Sequence, residues 1–155
     1  MREITTTGAK QTQKIASLLA EELTRASRPV RDGACVISLM GDLGAGKTTF
    51  AQGVARALGV KERVLSPTFV LMKIYALKKK KFRHLIHIDC YRLASPRDLA
   101  HLGFKEILKD KDAVILIEWA DRIKKILPPH TLWLKFSHGA KAHQRSIVIL
   151  WPLSF

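Results

Sequence analysis

Apolar residues recur at three- and four-residue steps through about residues 11–25. Ile15, Leu18, Leu19 and Leu23 share one face there, which predicts an amphipathic helix. Arg28-Pro29-Val30-Arg31-Asp32-Gly33 breaks the pattern. The chain resumes as a short, apolar, partly β-branched run, Ala34-Cys35-Val36-Ile37-Ser38-Leu39-Met40, which predicts a central strand. A glycine-containing segment leads into a second helical stretch over residues 48–58. Phe50, Val54, Ala57 and Leu58 lie on one side of it, and Gly59 is placed to end it. Residues 69–77 and 82–91 read as two strands flanking Lys78-Lys79-Lys80-Lys81, an antiparallel hairpin with a basic, solvated tip. Ser95-Pro96-Arg97-Asp98 combines a cap, a first-turn proline and an acid, the features of a helix start. Residues 112–119 form another buried strand, residues 121–127 a short helix stopped by Pro128-Pro129, and residues 131–137 and 146–151 a terminal hairpin. The mixture predicts an α/β fold in one domain over residues 1–155, its mostly parallel central sheet carrying antiparallel hairpins.

Composition narrows the class. The 155 residues suit a single core, and 47% hydrophobic with 26% charged residues excludes a disordered chain. No apolar run approaches the roughly 18 residues of a membrane helix, and Met1-Arg2-Glu3-Ile4 opens no export signal, so a cytoplasmic location is expected. Cys35 and Cys90 sit inside strand-like runs, as buried free thiols of a reducing compartment do. His84, His87, His138 and His143 lack zinc-ligand spacing with these cysteines. Charge is the unusual feature, with 27 Lys+Arg against 13 Asp+Glu and a formal net charge of +14. Such a surface attracts polyanions, RNA first, although compositional bias or an acidic protein partner produces the same balance.

The chemistry is concentrated in Gly41-Asp42-Leu43-Gly44-Ala45-Gly46-Lys47-Thr48, between the predicted strand and helix. Glycines at this spacing let successive N–H groups point inward at phosphate oxygens, and the helix N-terminus adds partial positive charge. Lys47 is placed to neutralise β- and γ-phosphates, and the Thr48 hydroxyl to take one position on magnesium. The chain contains no asparagine, hence no Asn-Lys-x-Asp guanine-reading segment, and ATP is the expected nucleotide. Hydrolysis also needs a carboxylate at the end of a neighbouring strand, to hold the metal or orient water. Glu118, closing Ala113-Val114-Ile115-Leu116-Ile117, and Asp89, within an otherwise apolar run, are the two candidates. Trp119 reads as a core anchor.

Four segments in order resemble one family: residues 41–50, Ser66-Pro67-Thr68-Phe69, His87-Ile88-Asp89-Cys90-Tyr91-Arg92-Leu93 and Ile117-Glu118-Trp119. Together they resemble TsaE, the small bacterial ATPase required to make threonylcarbamoyladenosine beside the tRNA anticodon. The resemblance implies a three-layer phosphate-loop NTPase fold. It implies phosphate binding by Gly44, Ala45, Gly46, Lys47, Thr48 and Thr49, magnesium held by Thr48 and Glu118, and ATP turnover dependent on Asp89. Thr12 would lie by the nucleotide. The threonylcarbamoyl transfer itself would belong to a separate transferase subunit and its paralogous dimer partner, which this ATPase would bind. A direct tRNA contact through the basic surface is the further expectation. A free-standing small-molecule kinase is the competing reading, since many share this loop and size.

Overall fold

The computed structural model describes residues 1–26, 32–78 and 81–150. Residues 28–31 of the expected break at 28–33, Lys79 and Lys80 of the basic tip, and the last hairpin residue Trp151 lie outside the described residues. Strands β1 (Arg2–Thr6), β2 (Cys35–Gly41), β3 (Met72–Ala76), β4 (His84–Asp89), β5 (Ala113–Glu118), β6 (Leu132–His138) and β7 (Arg145–Leu150) form one sheet. Their order is β1-β7-β6-β2-β5-β4-β3. The four central strands β6, β2, β5 and β4 are parallel, while β7 and β1 at one edge and β3 at the other are antiparallel additions. The predicted α/β class with hairpin additions is therefore the observed one.

Because side chains alternate across a strand, the sheet has two apolar faces. Ile37, Leu39, Val114, Leu116, Leu134 and Phe136 face helices α1 (Ala9–Arg25) and α2 (Lys47–Ala57). Val36, Ile86, Ile88, Ile115 and Ile117 face the short helices α3 (Arg97–Ala100) and α4 (Phe104–Leu108) and a 3₁₀ segment over Ala120–Ile126. Both cysteines are buried and free, and burial pushes each thiol up to about 12. Among the described residues no helix is long and apolar enough to cross a membrane.

The packing of α1 differs from the pattern expected of it. Its most buried positions are Thr12, Ala16, Ala20 and Leu23, while Leu18 is exposed. The cause is close approach. A Cβ placed on Gly53 of α2 would stand 2.7 Å from Ala16 Cβ and 2.7 Å from Gln13 O, so only small residues fit this seam. Gly53→Val is accordingly expected to destabilise the fold by about 1–3 kcal/mol, read as a lower urea midpoint. An unchanged midpoint would show that the two helices can part without loss.

Helix α2 ends as its sequence predicts. Gly59 has φ 94°, its N–H donates to Arg56 O, and the Val60 N–H donates to Ala55 O, a Schellman motif. At the start of α3, Asp98 accepts from the Ser95 N–H and Ser95 Oγ accepts from the Arg97 N–H, as the cap reading requires. Helix α1 ends differently. Lys81, expected to be part of a solvated tip, donates from Nζ to Leu23 O (2.6 Å) and to Ala26 O, satisfying carbonyls at the negative end of the helix. Burial lowers its pKa.

Candidate nucleotide site

Three parallel strands carry the site at their C-terminal ends, the usual position for a ligand in such sheets. Strand β2 ends at Gly41, with φ 122°. A Cβ there would fall 1.9 Å from Phe136 O, so the chain can leave the sheet toward the loop only through glycine. Gly44 (φ 71°) and Gly46 (φ 102°) supply the left-handed turns that curl the loop onto the head of α2, where Lys47 and Thr48 open the helix.

Asp89 and Glu118 face each other in register at the ends of β4 and β5, and both are buried. Their surroundings separate them. Glu118 Oε2 accepts from the Thr48 hydroxyl at 2.8 Å, and Oε1 accepts from His87 Nε2 at 2.8 Å. Asp89 Oδ2 accepts from the hydroxyls of Ser66 and Thr68, the latter at 2.8 Å, and Oδ1 from the Tyr91 N–H at 2.8 Å. One carboxylate thus ends on the phosphate-loop helix, and the other pins the segment holding Ser66, Pro67 and Thr68.

Lys47 Nζ donates to Gly41 O (2.7 Å) and Asp42 O (2.6 Å) and lies 3.9 Å above the centre of the Trp119 ring. Burial lowers its pKa, opposed by the nearby carboxylates of Glu118, Asp42, Asp121 and Asp89. Trp119, expected to be a core anchor, does pack on the short-helix face, but it also lines the cleft, and its φ of 57° turns the chain sharply just after Glu118. Its ring also meets Tyr91, centroids 5.0 Å apart. Phe69 was expected within a strand. It lies instead in a turn closed by Val70 N–H to Pro67 O, 84% exposed, with the Arg92 guanidinium 4.5 Å over its ring.

These side chains enclose an open cleft of about 430 Å³ lined by Lys47, Thr48, Thr68, Asp89, Glu118 and Trp119. A second hollow of about 220 Å³ lies across the loop, between Thr12, Thr49, His143 and Arg145. Gly44, Gly46 and Thr49 border both. Thr12 is buried there, its hydroxyl 2.9 Å from Thr6 Oγ1. The Arg145 guanidinium donates from Nε to Gly44 O of the phosphate loop at 3.1 Å, while its Nη1 donates to the carbonyls of Ala142 and Gln144 in its own β6–β7 turn. Sequence reading singled out neither His87 nor Arg145 as a residue of this site. An imidazole in an otherwise apolar strand next to Asp89 was the available signal for the first.

Strand, glycine loop and helix, with lysine and threonine at the helix head and an acid at the end of an adjacent parallel strand, define a phosphate-loop nucleotide-binding protein. The family model of TsaE, described as threonylcarbamoyl adenosine biosynthesis protein, matches residues 6–147, and the chain belongs to that family. It is 39% identical over 121 residues to the tRNA threonylcarbamoyladenosine biosynthesis protein TsaE of Rickettsia prowazekii, covering 77% of this chain and 75% of that one. The protein of the same name from Rickettsia felis is also 39% identical over 121 residues, which span 63% of its length. The crystal structure of YdiB from Bacillus subtilis matches with a TM-score of 0.73 at 28% identity, over 97% of this chain and 85% of that one. Membership of this family disfavours the free-standing kinase.

Proposed function

We propose that this chain binds ATP with magnesium, hydrolyses it, and serves as an accessory ATPase in forming threonylcarbamoyladenosine on tRNA in the cytoplasm. The observation that carries the reading is the 2.8 Å contact between the Thr48 hydroxyl and Glu118, which joins the phosphate loop to a strand-end carboxylate. Two hard oxygen donors, one on the loop helix and one on β5, suit magnesium, which is held by few protein ligands and completes its shell with water and phosphate. Magnesium bound there would neutralise charge on the phosphates.

The remaining work falls to the chain. The amides of Gly44, Ala45 and Gly46 cradle the phosphates, with Thr49 beside them on α2. Lys47 exchanges its carbonyl partners at Gly41 and Asp42 for phosphate oxygens and opposes charge developing on the γ-phosphate. Asp89, near the Thr68 side of the cleft, orients the attacking water. The hollow beside Thr12 takes the nucleoside end, since the loop separates it from the cleft with the acids.

The transferase subunit and its paralogous partner would complete the site. Two arginines border the site among the described residues, Arg92 at the cleft and Arg145 at the second hollow, and both are engaged. Arg92 stacks on Phe69, and Arg145 is held by Gly44 O and by carbonyls of its own turn, so an arginine stabilising the transition state has to be released or supplied by another chain. Slow phosphate release by the isolated protein is expected, rising by up to roughly 10³–10⁵-fold when a partner supplies that group. Steady-state phosphate release, measured alone and then with the transferase heterodimer and tRNA, tests this. A fast isolated enzyme indifferent to the heterodimer overturns the accessory role. Phosphate found on a small-molecule acceptor would restore the kinase.

A further inference from the structure

His87 is a fully buried imidazole in a strand whose neighbouring side chains are apolar, and its side chain is 0% exposed. Strand alternation puts it on the same face as Asp89, two residues on. In the sheet it sits opposite Leu116, one diagonal step from Glu118. Its Nε2 lies 2.8 Å from Glu118 Oε1, and its Nδ1 has no hydrogen-bond partner among the described residues. The polar contact of this ring is therefore spent on one oxygen of one carboxylate. The other oxygen of that carboxylate is the one facing Thr48.

We propose that His87 is a positioning residue of the nucleotide site, its Nε2–H fixing the Glu118 carboxylate so that Oε2 and the Thr48 hydroxyl stand as a preformed pair of oxygen donors for magnesium. This rests on the reading of Thr48 and Glu118 as magnesium holders. Held by the Thr48 hydroxyl alone, the carboxylate would keep more freedom about its last torsion, which has a broad, two-fold profile. With Oε1 tied to a rigid ring in the sheet, that rotation is arrested, and the cost of ordering the side chain falls before the metal arrives rather than on its binding. Outer partners of this kind typically change metal affinity by about 10–100-fold when removed. A ring that served only the core would affect stability and leave the magnesium dependence of nucleotide binding alone.

The test compares His87→Gln, which keeps an N–H donor, with the similarly sized His87→Met, which does not. Wild type and Thr48→Val serve as references. Affinity for the non-hydrolysable ATP analogue AMP-PNP is titrated calorimetrically with magnesium and with EDTA. The magnesium-dependent gain in affinity is expected to fall about 10–100-fold in His87→Met, with EDTA affinity unchanged and most of the gain restored in His87→Gln. An intact gain in His87→Met, beside its loss in Thr48→Val, overturns the positioning role and leaves the site standing. An intact gain in Thr48→Val overturns the site itself. A second measurement needs no variant at position 87. The ring N–H proton of His87 in wild type, followed by NMR, is expected to shift when magnesium is added to the AMP-PNP complex. A resonance indifferent to magnesium overturns the proposal.

Discussion

Lys47→Ala is expected to weaken ATP binding by roughly 10–150-fold, the loss of one charge-assisted contact worth about 1.5–3 kcal/mol. The structure gives that lysine a defined starting point. Its Nζ rests on Gly41 O and Asp42 O and over the Trp119 ring, so phosphate oxygens would replace partners already in place at the loop. Because burial lowers its pKa, the ammonium is lost at a lower pH than that of a free lysine. Affinity is therefore expected to decline earlier on the alkaline side than an unperturbed lysine would allow. Isothermal titration at fixed magnesium, repeated across alkaline pH, measures both effects. Unchanged affinity in Lys47→Ala sinks the phosphate-loop assignment.

The second large effect separates the two acids. Asp89→Ala is expected to keep nucleotide affinity within a few-fold and to lower hydrolysis by about 10²–10⁴-fold. Glu118→Ala should lose the magnesium dependence of binding as well as hydrolysis. The hydrogen bonds explain why the phenotypes should differ, since Glu118 reaches the loop helix through Thr48 while Asp89, among the described residues, bonds Ser66, Thr68 and the Tyr91 amide. Removing Asp89 also frees the segment it pins, so a Ser66→Ala, Thr68→Ala double variant should reproduce part of its defect. Phosphate release and nucleotide titration on each variant decide the matter. Two fully active mutants would remove the pair from the site, and exchanged phenotypes would reverse the roles.

The legible parts of this chain were those where local chemistry and tertiary environment agree. Gly44, Gly46 and Gly59 mark turns that need left-handed backbone, and the apolar runs closing at Met40 and Ile117 match buried parallel strands. What stayed hidden depended on neighbours far away in the chain. Strand β1 offers a single large apolar residue, Ile4, and exists because β7 supplies its hydrogen-bonding partner. The buried stripe of α1 is set by Gly53 on another helix, so alanines outrank leucines there. Lys81 looked like a surface charge because nothing local shows that the end of α1, more than fifty residues earlier, lies beside it. In the same way His87 reads as one of several histidines until β5 brings Glu118 alongside.

The order of strands has a consequence for how the molecule comes into being. Strand β2, which feeds the loop, pairs with β5 and β6, whose residues are joined to it by long stretches of chain. Pairings of such sequence separation are slow, because closure entropy must be overcome before they form. During synthesis the loop and its lysine leave the ribosome before Glu118, and β6, which flanks β2 on the other side, follows later still. A nascent chain that stops short of β6 lacks one neighbour of its central strand, and the His143 and Arg145 wall of the second hollow is not yet made. Arrest at that length is expected to leave one edge of apolar β2 exposed to chaperones.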